Sequence, residues 1–108
     1  MAKRVVPREQ ARRDIDEALG YYLQEAGDRV ALRFIDAAEA AFRAIGNAPS
    51  AGSPRYAHEL GLPGLRCRQL KRFPYLVFYV ERENCVDVWR VLHAVRDIPA
   101  WLQRPTND

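Results

Sequence analysis

The sequence predicts an α+β fold in which a helical hairpin packs on one face of a small antiparallel sheet. Two stretches with apolar residues at three- and four-residue spacing, separated by Gly27, predict two adjacent amphipathic helices. A uniformly apolar segment at Tyr75–Val80 lies between two further strand-like segments and predicts a central strand that is buried on both faces. The predicted order of elements is therefore β-α-α-β-β-β-α.

The first elements are a short strand over Lys3–Pro7 and a helix over Arg8–Glu25. Pro7 has no backbone N–H to donate to a sheet, so this strand is expected at an edge or to end there. Charged residues occupy the other side of the helix, which indicates that only one face is buried. The apolar stripe consists of Ala11, Ile15, Ala18, Leu19 and Tyr22.

A second helix is predicted over Arg29–Ile45, directly after the break at Gly27. So short a connection favours an antiparallel pair of helices. Several alanines along this segment raise its helix propensity, and their small side chains allow neighbouring elements to approach closely. The apolar stripe consists of Ala31, Phe34, Ile35, Ala38, Phe42 and Ile45.

The remaining strands follow a loop over Ser50–Gly64, which is rich in glycine and proline and includes a short strand or turn around Tyr56–Leu60. Strands are predicted over Leu65–Phe73, Tyr75–Val80 and Val86–His93. Strict alternation along the last strand places two sets of side chains on opposite faces. One set is Val86, Val88, Arg90 and Leu92, and the other is Asp87, Trp89, Val91 and His93.

A short C-terminal helix is predicted after Asp97, whose side chain is placed to cap it, and Trp101 is expected to dock it against the core. The domain prediction is one unit of about a hundred residues, at 1–103, because the chain is too short for two. Residues 104–108 are predicted to form a flexible tail.

Composition restricts the class of protein. Hydrophobic residues make up 48% of the 108 and charged residues 29%, which is typical of a globular rather than a disordered chain. The net charge of +3 permits an anionic partner without requiring one. No apolar run approaches the ~20 residues of a membrane span, and the N-terminus lacks the apolar core of a secretion signal. We therefore expect a cytoplasmic protein with no membrane contact.

The two cysteines, Cys67 and Cys85, do not have the spacing of a metal site, and we expect free thiols in a reducing compartment. No phosphate-binding glycine motif is present in the sequence, so no cofactor and no metal are expected. The segment Leu60–Val80 carries four cations and no acid. With the helices on one side of the sheet, we expect the other side to be open and lined by arginines that meet an anionic macromolecule. The four cations are Arg66, Arg68, Lys71 and Arg72.

Several short features follow one another in a specific order and spacing along nearly the whole chain. They are Ala11 with Asp14-Ile15, Tyr21-Tyr22, the segment from Ala31 to Phe34, Pro49 with Gly52, Leu65-Arg66, the segment from Phe73 to Tyr79, Arg90-Val91-Leu92-His93 and Arg96-Asp97-Ile98. Taken together, these features resemble the ParE branch of the RelE/ParE superfamily, the toxins of bacterial toxin–antitoxin modules.

The resemblance implies a RelE/ParE-like fold with two helices against a curved antiparallel sheet. It also implies a cytoplasmic toxin, of the plasmid-stabilisation type, that forms a hetero-oligomer with a cognate ParD-like antitoxin encoded by the adjacent gene. ParE-like toxins are associated with inhibition of DNA gyrase, so we expect gyrase as the target and no direct specific binding to DNA. RelE-like relatives instead cleave messenger RNA on the ribosome, and the fold alone does not decide between these activities. A third reading is an inactive toxin retained as an antitoxin-binding module.

The antitoxin is expected to supply an acidic, partly disordered segment that folds along the helical hairpin and the sheet edge. Its apolar side chains are expected to enter grooves near Tyr21, Tyr22 and Phe34. Its carboxylates are expected to pair with arginines. The candidate arginines are Arg66, Arg68, Arg90 and Arg96.

A ribonuclease of the RelE kind needs a base for the ribose 2′-hydroxyl, cations for the scissile phosphate and an acid for the leaving oxygen. His93 is the candidate titratable group, although a histidine at a strand end is more often structural. Relatives that cut RNA often place a Tyr or His near the C-terminus, and neither follows Trp101 here. We therefore expect a toxin that acts by binding and has no catalytic residues. The candidate cations under the nuclease reading are Arg66, Arg68 and Arg90.

Overall fold

The structure of the chain, a computed structural model, describes residues 2–95. The predicted C-terminal helix, the predicted tail and Arg96 lie outside the described residues. The predicted α+β architecture is confirmed, with two long helices followed by a helical turn, a short helix and three strands. The elements are β1 (Arg4–Pro7), α1 (Glu9–Ala26), α2 (Asp28–Asn47), a 3₁₀ turn (Pro49–Ala51), α3 (Arg55–Leu60), β2 (Leu65–Gln69), β3 (Tyr75–Glu81) and β4 (Cys85–His93).

The four strands form one sheet in the order β1-β4-β3-β2. The three C-terminal strands are antiparallel neighbours, as predicted. β1 pairs with β4 in parallel, so the sheet as a whole is mixed rather than purely antiparallel. As predicted for a strand that contains Pro7, β1 lies at an edge of the sheet.

The helical hairpin covers one face of the sheet and forms the larger core. Alanines on both helices bring their backbones close to the strands, while Phe34 and Ile45 fill the space between them and are fully buried. Gly27, with a φ of 89°, breaks the chain between the helices in a conformation that other residues rarely adopt. The strand residues of this core are Tyr75, Val77 and Tyr79 of β3 and Val86, Val88 and Val91 of β4.

The other face of the sheet carries a second, smaller core under α3. Tyr56–Leu60, predicted as a short strand or turn, belongs to this helix, which ends at Gly61 in the left-handed conformation. Tyr56 and Leu60 lie one helical turn apart, and both pack on Phe78 and its neighbours. The spacing of four residues fits a helix, and the prediction failed because so short a stretch shows only one such pair.

A β-bulge changes the alternation predicted for β4. Phe78 pairs with Arg90 and the next residue, Tyr79, pairs with Val88, so Trp89 is an extra residue in β4. Beyond this point the side chains change faces. Val91 therefore joins the hairpin core, and Leu92 joins the smaller core, which reverses the predicted assignment of both.

Within residues 2–95, neither long helix combines the length and the apolar character that crossing a membrane requires. α1 and α2 each carry charged side chains along the side that faces away from the sheet.

Candidate functional site

An aromatic cluster joins the helical hairpin to one end of the sheet. Four rings form it, with centroids 5.1 to 6.3 Å apart: Tyr22, Phe34, Phe73 and Tyr75. Tyr21 lies at its margin and is 52% exposed. Phe34 is fully buried, so it supports the cluster from within and has no surface to offer a partner directly. Of the three predicted aromatic contacts, Tyr21 is the one that solvent reaches most easily.

Two leucines near the hairpin turn are also exposed. Leu23 on α1 is 47% exposed and Leu32 on α2 is 61% exposed. Both lie within five residues of Gly27 in the sequence. Single exposed leucines are common, but with Tyr21 these are three large exposed apolar side chains within six residues of Gly27 in the sequence. This end of the hairpin is a candidate surface for an apolar segment of a partner.

Arg66 and Arg68 lie side by side on β2, opposite Tyr79 and Val77 of β3. Because these two β3 residues belong to the hairpin core, both arginines are on the hairpin side of the sheet. The prediction that they line the face opposite the hairpin was therefore wrong. Arg66 donates from Nη1 to the carbonyl oxygen of Gly52 at 2.8 Å, and both arginines are partly exposed.

Tyr79 holds the same loop as Arg66, since its Oη donates to the carbonyl oxygen of Pro49 at 2.7 Å. Burial raises the pKa of Tyr79, although hydrogen bonding at Gly52 and the positive charges of Arg66 and Arg68 oppose the rise. A Cβ atom on Gly52 would collide with Tyr79 Oη, so this position requires glycine. The phenol therefore stays protonated at neutral pH and serves as a structural donor.

Arg90 makes a bidentate pair with Asp14 of α1. Its Nε and Nη2 donate to Oδ2 and Oδ1 at 2.9 and 3.0 Å, and the backbone N–H of Val91 donates to Oδ2 at 2.9 Å. The Asp14 side chain is 7% exposed and that of Arg90 is 18% exposed. A partner carboxylate or a scissile phosphate would have to displace Asp14, which would leave a buried charge without its counter-ion. Arg90 therefore serves the fold.

The four residues proposed for a nuclease do not converge. His93 pairs with Tyr75 at one end of β3, and Arg66 pairs with Tyr79 four residues further along, which corresponds to about 13 Å of strand. The His93 ring stands edge-on to Tyr75, and its Nδ1 accepts a hydrogen bond from the backbone N–H of Val95. Arg68 pairs with Val77, midway between these positions, and Arg90 is held by Asp14, so the four groups are spread along the sheet.

A cleft of about 580 Å³ lies between α2 and the turn that joins β2 to β3. Three exposed cations line it: Arg33 from α2, and Lys71 and Arg72 from the turn. Apolar side chains, including the half-buried ring of Phe73, form its floor, and Asp36 is the one acid in the lining. We call this feature the basic cleft. It lies on the hairpin side of the sheet, beside the strand that carries Arg66 and Arg68.

The sheet face opposite the hairpin has an arginine cluster of its own at the β1–β4 edge. Asp87 accepts hydrogen bonds from Arg8, Arg82 and the indole N–H of Trp89, at 2.9 to 3.1 Å. Burial would raise the pKa of Asp87, but the hydrogen bonds from Arg8, Trp89 and Arg82 outweigh it and hold the pKa below its ordinary value. The Arg8 guanidinium also lies 4.7 Å from the centroid of the Trp89 ring.

Asp14 and Arg33 are the residues that sequence reasoning missed. Asp14 stands in the buried stripe of α1 at a position three residues after Ala11, and an acid in an apolar stripe is a readable sign of a buried partner. Arg33 shows no such sign, because the turn that completes its cleft is distant in the sequence. Across residues 2–95, no group of three or more His, Cys, Asp and Glu side chains is arranged to hold a metal ion.

Comparisons with known proteins agree with this geometry. Residues 5–98 match the model of a family described as the ParE toxin of the type II toxin–antitoxin system parDE. A chain in the solved structure of a chromosomal ParDE toxin–antitoxin system from P. aeruginosa has the same fold, with a TM-score of 0.71. The two chains are 17% identical, and the match covers 85% of this chain and 96% of that one. No curated protein matches the chain.

Proposed function

The chain belongs to the ParE toxin family of type II toxin–antitoxin systems, and we propose that it inhibits DNA gyrase by binding and is neutralised by a cognate ParD-like antitoxin. The antitoxin is the product of the adjacent gene, and the two proteins form a hetero-oligomer in the cytoplasm. Neither partner is a nucleic acid or a membrane, so inhibition and neutralisation are both protein–protein events.

The dispersal of the candidate nuclease groups is the observation that most supports binding rather than bond cleavage. General acid–base cleavage of RNA needs a proton acceptor and phosphate-binding cations around one reacting centre. In this chain the β3 residues that pair with His93 and Arg66 are four positions apart, and Arg90 is neutralised by Asp14. A toxin that blocks its target by occupying a surface has no need of such a centre.

The exposed apolar end of the hairpin supports neutralisation by a protein segment. Tyr21, Leu23 and Leu32 are among the large apolar side chains with the greatest exposure in residues 2–95. An amphipathic antitoxin segment that covers them would remove this surface from water. The burial would favour binding by roughly 25 cal/mol for each Å² of apolar area. On the hairpin side, Arg68 is partly exposed and can pair with a carboxylate of such a segment.

The test is expression of the chain with and without the product of the adjacent gene. We expect growth arrest and loss of plasmid supercoiling when the chain is induced alone, and normal growth when both proteins are made. Messenger RNA 5′ ends, mapped by primer extension in the same cells, should not change. New 5′ ends with intact supercoiling would contradict the gyrase proposal and favour ribosome-dependent cleavage. Normal growth with a folded chain alone would favour an inactive toxin.

A variant separates neutralisation from toxicity. Tyr21→Ser combined with Leu32→Ser should remain toxic in the presence of the antitoxin, because it removes exposed apolar contacts and leaves the core intact. Gln24→Ser, at an exposed polar position of the same helix end, is the matched control and should be neutralised normally. Equal neutralisation of the double variant and the control would exclude this end of the hairpin as an antitoxin surface.

A further inference from the structure

We propose that the basic cleft receives an acidic segment of the antitoxin, anchored in the cleft by one apolar side chain and held at the rim by carboxylates. The inference rests on the proposed function, since the antitoxin is the occupant, and adds a specific site to it. We call the three cations at the opening of the cleft its rim: Arg33, Lys71 and Arg72. The seat is the space between α2 and the β2–β3 turn, where the segment would bind.

The charge of the rim is the first argument. None of Arg33, Lys71 and Arg72 forms an ion pair with any residue in the described part of the chain. Asp36 is the one acid in the lining, so the cleft has a net positive charge of about two. Three cations against one acid leave a net repulsion among like charges, and an incoming carboxylate would relieve it.

The floor of the cleft selects an apolar side chain. Val30, Ala37, Ala40 and Phe73 line it, and the two alanines leave room that larger residues would fill. A volume of about 580 Å³ exceeds that of a single side chain and suits a short peptide segment. An apolar floor with a cationic rim therefore fits a segment that alternates apolar and acidic residues.

The backbone conformation of Arg72 is a third argument, independent of the other two. Its φ of 70° makes it the one non-glycine residue with positive φ in the described part of the chain. This left-handed conformation is strained for an arginine, whereas glycine would adopt it freely. A strained arginine at the rim of a cleft indicates that its side chain contributes something other than stability there.

The route of the segment beyond the cleft follows from β2. Arg68 and Arg66 continue the positive charge along the hairpin face of this edge strand. Ser53 already pairs with Cys67 on the outer edge of β2, so a partner strand running along that whole edge would have to displace it. The occupant is therefore recognised by side chains in the cleft and on the hairpin face.

Charge reversal tests the rim. Arg33→Glu combined with Lys71→Glu should weaken binding of the purified antitoxin about tenfold or more, with the greater loss at low salt. Arg4→Glu combined with Arg12→Glu makes the same change in net charge at exposed positions away from the cleft, and should bind nearly as tightly as the unaltered chain. Binding is measured by isothermal titration calorimetry, after circular dichroism has shown that both variants are folded.

A neutral variant tests the floor separately. Ala40→Trp adds bulk at an exposed helix position that lines the cleft, so it should fill the seat without disturbing the core. The matched control is Ala48→Trp, at an exposed position just after the C-terminus of α2. We expect the first variant to weaken antitoxin binding by a similar factor and the second to leave it nearly unchanged.

Replacing acidic residues of the antitoxin with lysine should restore binding to the charge-reversed chain.

The outcomes distinguish this inference from the proposed function. If the antitoxin binds the cleft variants and their controls equally well, the cleft is not its seat, and the proposed function stands. If the product of the adjacent gene binds neither the unaltered chain nor any variant, the proposed function fails, and the inference fails with it. Loss of polynucleotide binding in the cleft variants, with antitoxin binding kept, would overturn the inference and assign the cleft to a nucleic acid.

Discussion

Asp14 and Arg90, which are 76 residues apart in the sequence, form a two-bond ion pair that ties α1 to β4. The pair stands where β1 ends. The carbonyl oxygen of Val88 still accepts a hydrogen bond from Arg8 just after β1, whereas the backbone N–H of Val91 donates to Asp14 instead of to a strand. The Asp14 carboxylate therefore accepts a hydrogen bond from β4 beyond the end of β1, where that edge of β4 has no neighbouring strand, and Arg90 balances its charge.

Removal of Asp14 alone should be severely destabilising. Asp14→Ala removes the carboxylate that accepts hydrogen bonds from Arg90 and from the N–H of Val91, and we expect the free energy of unfolding to fall by about 3–5 kcal/mol. Urea denaturation followed by circular dichroism measures the change. The free energy of unfolding should depend on urea concentration with the same slope in both chains, as expected if each unfolds in one two-state transition. A fall below about 1 kcal/mol would show that water replaces the carboxylate at little cost.

The paired replacement Asp14→Leu with Arg90→Met should recover most of that loss. It removes both charges and substitutes apolar side chains of similar size, which in other buried ion pairs is neutral or stabilising by about 1–4 kcal/mol. The N–H of Val91 still lacks an acceptor, so we expect a final stability about 1–2 kcal/mol below that of the unaltered chain. Recovery to this level, with toxicity kept, would confirm that the pair serves the fold.

Two glycines should respond in opposite ways to alanine. At Gly52 the added methyl group would collide with Tyr79 Oη, which is buried and bonded to Pro49, so we expect a loss of about 1–3 kcal/mol. At Gly20, in the exposed middle of α1, nothing lies near the new methyl group, and we expect a gain of about 1 kcal/mol. Thermal unfolding of both variants under one set of conditions checks the pair, and equal effects would contradict the assignment.

The cluster around Asp87 should make part of the stability depend on pH. The pKa of Asp87 is lowered in the folded chain, so its contribution is fully present above the ordinary value of 3.8 and is lost as the pH falls through the folded value. We expect Asp87→Asn to lower the free energy of unfolding by about 1 kcal/mol at pH 7, a modest figure because Arg8 and Arg82 are half-exposed.

The difference between Asp87→Asn and the unaltered chain should shrink as the solution is acidified below pH 3.8. Asp16→Asn makes the same change in net charge at an exposed position of α1, and should have little effect at any pH. The measurement is urea denaturation at a series of pH values. A difference that stays constant down to the acid end would mean that the carboxylate's ionisation does not stabilise this edge of the sheet.

The elements with strong local patterns were predictable from the sequence. The stripes of α1 and α2 repeat over five turns, and the run at Tyr75–Val80 contains no charged residue, so each pattern admits one interpretation. α3 contains one helical pair, Tyr56 and Leu60, which a turn would also accommodate. The prediction therefore succeeded where the pattern was long and failed where it was short.

The candidate site was harder to predict because it depends on pairings between distant residues. Nothing local to β4 reveals the bulge at Trp89, since strict alternation fits its sequence equally well and places Leu92 on the wrong face. The positions of Arg66 and Arg68 follow from their pairing with β3, and the basic cleft exists only because α2 meets the β2–β3 turn. Cation-rich sequence thus indicated an anionic partner but not the surface that would meet it.

Arg72 should be the residue where stability and antitoxin binding move in opposite directions. Its φ of 70° suits glycine, so Arg72→Gly relieves backbone strain in the folded chain. The free energy of unfolding should therefore rise by up to about 1 kcal/mol, because the higher conformational entropy of glycine in the unfolded chain offsets part of the gain. The same change removes a cation from the rim of the basic cleft, so affinity for the antitoxin should fall.

Lys71→Gly is the matched control, because it removes the adjacent cation from a residue whose φ is negative and should lower stability and affinity together. Urea denaturation and calorimetric titration with the antitoxin measure the two quantities on the same samples. If Arg72→Gly gains stability without losing affinity, the strain at Arg72 is unrelated to the antitoxin.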